Sequence, residues 1–157
     1  MAETARQEVI EVLDRYFAAY EKLDLDVCKA IWDTEYPALS WKPTEREDAM
    51  TDYAEIERYL DGNHRIDLHD FRPSSYKVVD VIRPDVAFVF AHMICRFDIP
   101  DNAATRKEYE QGGLVWGPGH QVRWKGAASF VLHKRDGAWK LIHYEDSTLW
   151  NLVNNED

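Results

Sequence analysis

Cysteine, basic charge and long apolar runs are all scarce in this chain, and each shortage removes a class of function. Two cysteines in 157 residues, Cys28 and Cys95, sit inside apolar patterns. They argue against a disulfide framework and read as reduced, buried thiols. Nineteen basic residues face 29 acidic ones, a formal charge of −10 and a computed pI near 5.0. A nucleic-acid partner needs a basic patch; Arg and Lys are scattered here, so none is expected, and the acidity serves solubility. The best apolar run, "VAFVFAHMIC", is too short for a membrane span. The opening "MAETARQEVIEVLDRYF" carries acids throughout and lacks a secretory apolar region. A cytoplasmic location is expected, with no membrane partner.

Glycine is also sparse, at seven residues, and four of them, Gly112, Gly113, Gly117 and Gly119, crowd one segment. No Gly-Lys-Ser/Thr follows and no helix is expected to open there, so a phosphate loop is a poor reading. The segment Pro100 to Gly119 reads instead as a mobile loop or lid that could drop Trp116 onto a cavity. His64 and His69 lie five apart outside a helix, and His143 with Glu145 supplies only two alternating ligands. Neither makes a metal site. No nucleophile elbow appears and neither cysteine has an activating neighbour. No metal or cofactor is expected.

What is present is a globular composition, 45% hydrophobic and 13% aromatic, long enough for one domain over 1–157. Val9, Leu13, Tyr16, Phe17 and Tyr20 fall at helical spacing between Thr4 and Leu23. Asp24 opens a second short helix with Leu25, Cys28, Ile31 and Trp32. "YPALSWKP" reads as a short strand. "DYAEIERYLDGN" has the capping pair Asp52 and Glu55 and closes at Gly62. Four β-rich stretches follow, the last two joined by a hairpin at Asp136-Gly137. Helices first and an antiparallel sheet after them is the α+β pattern.

Strand parity supplies site candidates. Phe88, Phe90, His92, Ile94 and Arg96 share one face of the long strand; Ala87, Val89, Ala91, Met93, Cys95 and Phe97 share the other. Trp124, Gly126, Ala128 and Phe130 lie together on the next. Small residues beneath large aromatics leave room in a curved sheet, and His92 and Arg96 would point into that room. His69, flanked by Asp67 and Asp70, is a second candidate base. In the last strand both faces are mixed: Ile142, Tyr144 and Asp146 on one side, Trp139, Leu141, His143 and Glu145 on the other. That suggests a pocket on one side and a protein contact on the other.

"VLDRYFAAYEKLDLDVCKAIWD", "MTDYAEIERYLDG" and "FVLHKRDGAWKLIHYEDS" together resemble the SnoaL-like group of the nuclear transport factor 2-like superfamily. The likeness implies a cone of helices against a curved sheet, a pocket inside, and a homodimer through the sheet's outer face. It places Ile142, Tyr144 and Asp146 in the pocket and Trp139, Leu141 and His143 on the partner side. In ketosteroid isomerases a first-helix tyrosine is catalytic, and Tyr16 matches its place; their strand aspartate falls where this chain has Trp41 and Lys42. Scytalone dehydratase and related lyases pair such a tyrosine with a histidine entering the sheet, which His69 resembles. Their second pocket histidine falls near Arg96, and His92 could substitute for it.

The resulting expectation is a pocket for a small, largely apolar molecule, anionic or carbonyl-bearing, with proton-transfer chemistry of the dehydratase, isomerase or cyclase type. His69 would be the base, Tyr16 a donor to a developing enolate and His92 an acid or orienter. Arg96, Asp146, Tyr144, Trp124, Phe88, Phe90, Trp41 and Tyr20 would hold the ligand, with Arg96 paired to a substrate oxygen or to Asp146. The alternative is a binding or assembly module without chemistry. A catalytic site of this kind needs Tyr16, His69 and His92 to converge on a void.

Overall fold

The computed structural model of the protein describes residues 2–148, the side chains of Ala2 and His64 excepted. Three helices precede the main sheet: α1 (Ala2–Glu21), α2 (Leu25–Ile31) and, after the short strand β1 (Ser40–Lys42), α3 (Tyr53–Gly62). Asp52 caps α3 by accepting from the Glu55 N–H at 2.9 Å, as the Asp-x-x-Glu spacing requires. A single 3₁₀ turn, Asn63–Arg65, leads into β2 (Asp67–Arg83), β3 (Val86–Asp98), the helix α4 (Ala103–Glu110), β4 (Gln121–Arg135) and β5 (Ala138–Thr148).

The strands form one sheet in the order β1-β5-β4-β3-β2. Every pairing is antiparallel except β1 with β5. Asp136 and Gly137 both take positive φ, 52° and 81°, which makes the tight β4–β5 hairpin that an Asp-Gly pair favours. Gly126 has a different reason to be glycine. A Cβ there would meet the Ser147 carbonyl oxygen at 1.9 Å, so the approach of β5 depends on the missing side chain.

The helices cover one face of this sheet. Val9, Leu13 and Phe17 of α1 are buried with Phe71, Val89, Phe130 and Tyr144. Phe17 meets Phe71 edge-on at 5.2 Å and Phe130 at 5.8 Å. At the hairpin end the buried Asp33, which follows α2, receives Arg135 at 2.8 Å and pairs with His133. Burial alone would raise its pKa, but those two partners and the Glu35 N–H hold it below the ordinary value.

Two expectations about faces are corrected here. Ala87, Val89, Ala91, Met93 and Phe97, expected on the outer, apolar face that would pair with a second copy, are buried and form the helix-covered side of β3. Phe88, Phe90, His92, Ile94 and Arg96 therefore face away from the helices. The reason lies in the register: Phe90 pairs with Ser129 and His92 with Ala127, while Trp124, Ala128 and Phe130 oppose Cys95, Ala91 and Val89. In β5, Trp139 and Leu141 are buried together with Tyr144 and Asp146. Leu132 pairs with Leu141 and the adjacent Val131 with His143, so Ile142 is an extra residue that shifts the alternation by one.

Candidate functional site

Five elements send side chains to one end of the cone. Tyr20 closes α1, Trp41 stands on β1, Tyr59 on α3, Trp124 on β4 and Asp146 on β5; with Phe71, Phe97 and the segment 113–116 they line a cavity of about 300 Å³. That is the lower end of the size range for small-molecule pockets. The wall is built on aromatic contacts. Trp41 stacks on Tyr144 at 5.2 Å and 18°, Tyr144 stacks on Phe130 at 4.7 Å and 26°, and Tyr59 meets Trp41 edge-on at 4.8 Å.

Among the described residues Asp146 is the one buried acid of the lining, 6% exposed. The Thr44 N–H donates to its Oδ1 at 2.8 Å. Burial, and then the nearby Glu45 carboxylate, push its pKa up from the usual aspartate value to about 7, against the Thr44 N–H, Tyr144 and Lys42, which favour the anion. Desolvation disfavours a charge without a counter-ion, and among the described residues neither Asp146 nor Glu45 has an ion-pair partner. The Lys42 ammonium donates to the backbone carbonyls of Pro43 and Arg46. The buried Tyr59 hydroxyl donates to Glu45, and burial followed by that acid drives its pKa well up. The Tyr144 hydroxyl interacts with Asp146 but falls short of a well-formed hydrogen bond. The Trp41 Nε1–H has no acceptor among the described residues. A carboxyl that is half protonated near neutrality, in a largely apolar cavity, can both take and return a proton.

Of the residues expected at the site, Tyr20, Trp41, Trp124 and Asp146 line this cavity, and Tyr144 lies directly beneath Trp41. The remaining candidates are elsewhere. Tyr16 is fully buried in the core, where its hydroxyl accepts from Trp32 Nε1 at 3.4 Å and burial raises its pKa far above the ordinary value. His69 is exposed and pairs with Asp98 at 2.8 Å. It is the extra residue between Leu68, which reaches the cavity, and Asp70, and so it turns outward. His92 and Arg96 are exposed on the other side of the sheet, with Phe88 and Phe90. Arg96 therefore does not pair with Asp146, and Tyr16, His69 and His92 do not converge on a void.

Segment 100–119 holds a helix where an irregular loop was expected. The Asn102 side chain accepts from the Ala104 and Thr105 N–H groups at 3.0 Å each, and Thr105 Oγ1 accepts from the Asn102 N–H in return, a capping box. Beyond α4, Leu114, Val115 and Trp116 reach the cavity. Glu108 of α4 pairs with Arg65. Glu45 and Tyr59 were not foreseen. Tyr59 follows Ile56 by three places on the buried side of α3, a signal open to reading; Glu45, in the acidic connection "TEREDAM", carried none.

A helical cone closed on a bent sheet, with a cavity between its helices and one sheet end, is the nuclear transport factor 2-like fold, and the protein has that fold. Solved structures agree over nearly the whole chain. A Streptomyces avermitilis protein named as a candidate dehydratase of the nuclear transport factor 2-like family superposes with a TM-score of 0.72 at 17% identity, covering 95% of this chain and 99% of that one. A nuclear transport factor 2-like protein from Salmonella enterica serovar Typhimurium gives 0.71 at 16%, covering 94% and 93%. A candidate calcium/calmodulin-dependent protein kinase II association domain from Xanthomonas campestris gives 0.64 at 19%, covering 92% and 88%. No protein-family model matches the sequence and no curated protein does. Among the described residues no helix is long and apolar enough to cross a membrane.

The raised carboxyl fixes a pH dependence. A group whose pKa is higher folded than unfolded binds extra protons in the folded state, so its contribution is intact below the unfolded pKa and is lost as pH climbs through the folded value. For Asp146 the window runs from the usual aspartate value of 3.8 to about 7. Asp146→Asn escapes that loss, and its amide oxygen can still accept from Thr44. The variant is expected to match wild type near pH 4 in urea melts and to exceed it by about 2–4 kcal/mol at pH 8. A variant less stable than wild type at pH 8 would show that the carboxylate is favourably paired.

Proposed function

We propose that the protein binds a small, largely apolar molecule in the Trp41–Trp124 cavity and moves a proton on it without a cofactor, in a reaction of the dehydratase or isomerase type. The observation that carries this reading is Asp146: a buried carboxyl, held by one backbone N–H, beside a second acid and under aromatic walls. Asp146 is the general base or acid. Tyr59 and Glu45 form the adjoining polar contact, and Trp116 closes over the apolar body. The dehydratase name of one structural neighbour agrees with this class. We further propose a cytoplasmic location.

A second reading, a binding or assembly module, draws on the outer face of the sheet and on the association-domain name of another neighbour. Val78 and Ile82 are 43% and 60% exposed there, beside the half-buried Phe88, Phe90 and Val131. We propose that this face pairs with a second copy. The two readings are compatible, because the cavity lies on the opposite side. Phe90→Lys is expected to give a monomer in sedimentation at micromolar concentration where wild type gives a dimer; a monomeric wild type would remove the assembly reading.

The catalytic reading can be tested without the natural substrate. 5-Nitrobenzisoxazole loses its C3 proton to a base while its N–O bond breaks, releasing 2-cyano-4-nitrophenolate and leaving the base protonated. The protein is expected to accelerate this with kcat/KM rising through a midpoint near pH 7, the value to which Asp146 is pushed. Asp146→Asn should lower the rate about 100-fold, the modest end of what a positioned base supplies. His69→Ala and His92→Ala should leave it unchanged. An Asp146→Asn variant as fast as wild type would reduce the cavity to a binding site.

A further inference from the structure

Resting on that reading, we infer that the molecule this cavity takes is an organic cation, a small amine carrying one positive charge on an apolar body. The expectation from sequence was an anionic or carbonyl-bearing ligand, and it depended on Arg96, which lies on the other side of the sheet. What lines the cavity instead is two acids, Glu45 and Asp146, among tryptophans and tyrosines.

The charges decide between the two ligand classes. Arg46 and Arg65 also reach the lining. Arg65 is satisfied by Glu108 and by the Gly62 carbonyl, to which its Nε donates at 2.6 Å. Lys42 is a cation that favours the Asp146 anion, but its ammonium is turned to backbone carbonyls. Among the described residues the acids thus lack a committed counter-charge, and the half-buried Arg46 makes no ion pair with either. An anion entering here would meet two acids among aromatic walls. A cation would supply what they lack.

The walls suit a cation for an independent reason. Among the described residues Trp116 and Trp124 make edge-to-face ring contacts, with Phe97 at 5.3 Å and Phe71 at 6.2 Å, and no ring stacks on either. Unstacked tryptophan faces attract ammonium groups through the ring quadrupole, more strongly where water is excluded. Outside the cavity, the formal charge of −10 draws a cation toward the molecule at low ionic strength.

The test uses three probes of one size on the intact protein, read by tryptophan fluorescence and calorimetry at pH 8. Phenyltrimethylammonium is the cation, tert-butylbenzene its neutral isostere, and benzoate the anion. The cation is expected to bind at least tenfold more tightly than either, and Glu45→Gln should lower its affinity about tenfold while leaving tert-butylbenzene unchanged. Trp124→Leu should weaken the cation more than the isostere. Tighter binding of benzoate or tert-butylbenzene would overturn the inference and leave the binding reading standing. Binding of none of the three would overturn both.

Discussion

Between Leu141 and His143 the last strand carries a residue with no partner on β4, and the site depends on it. On the hairpin side of Ile142, Trp139 and Leu141 turn toward the helices. On the far side Tyr144 and Asp146 do the same. A regular strand has a period of two, so without the bulge one of these pairs would face outward. Losing Trp139 and Leu141 from the core would open the hairpin end, where Trp139 Nε1 donates to Glu8 at 3.0 Å. Losing Tyr144 and Asp146 would remove the floor of the cavity. The bulge lets one short strand serve the core and the site together.

Given that alternation, the rest of the cavity follows from packing. Phe130, Tyr144 and Trp41 stack in succession across β4, β5 and β1. Aromatic pairs of this kind are worth about 0.5–1.5 kcal/mol each beyond the area they bury. The stack holds β1 against β5, and the chain leaving β1 then brings the Thr44 N–H and Glu45 to Asp146. One backbone donor is enough to keep the carboxyl in place and too little to offset the burial that raises its pKa. The same packing thus sets the position of the acid and its affinity for a proton.

Much of the fold was legible in the sequence. The Asp52–Glu55 cap, the Asp136-Gly137 turn and the spacing of Val9, Leu13 and Phe17 are local signals, and local chemistry enforces them. The faces of the strands were not legible, for a specific reason. Alternation along β3 was clear, but which side met the helices depended on the register with β4. Small Ala127 and Ser129 sit on the outer face opposite His92 and Phe90, while equally small Ala128 sits on the inner one. Reading Ala128 as the neighbour of His92 turned the outer face into a pocket. His69 and Ile142 are both extra residues in their strands, and a bulge leaves little trace in hydrophobic pattern. Asp146, Trp41, Trp124 and Tyr20 line the cavity; Asp146 was named from the mixed faces of the last strand and the family resemblance, Trp41 from that resemblance, and Trp124 from strand parity. Glu45 was missed because its place depends on a connection that only the folded chain brings to β5.

The central claim is that the Asp146 carboxyl titrates near neutral pH because it is buried and its neighbour is an acid. The direct measurement is a carbon-detected NMR titration of the Asp146 side-chain carboxyl in the folded protein, assigned by comparison with Asp146→Asn. The expected midpoint is about 7, moving downward in Glu45→Gln as the second acid is neutralised. A midpoint in the ordinary aspartate range, near 4, would mean that the carboxyl is solvated or paired, and would contradict the account.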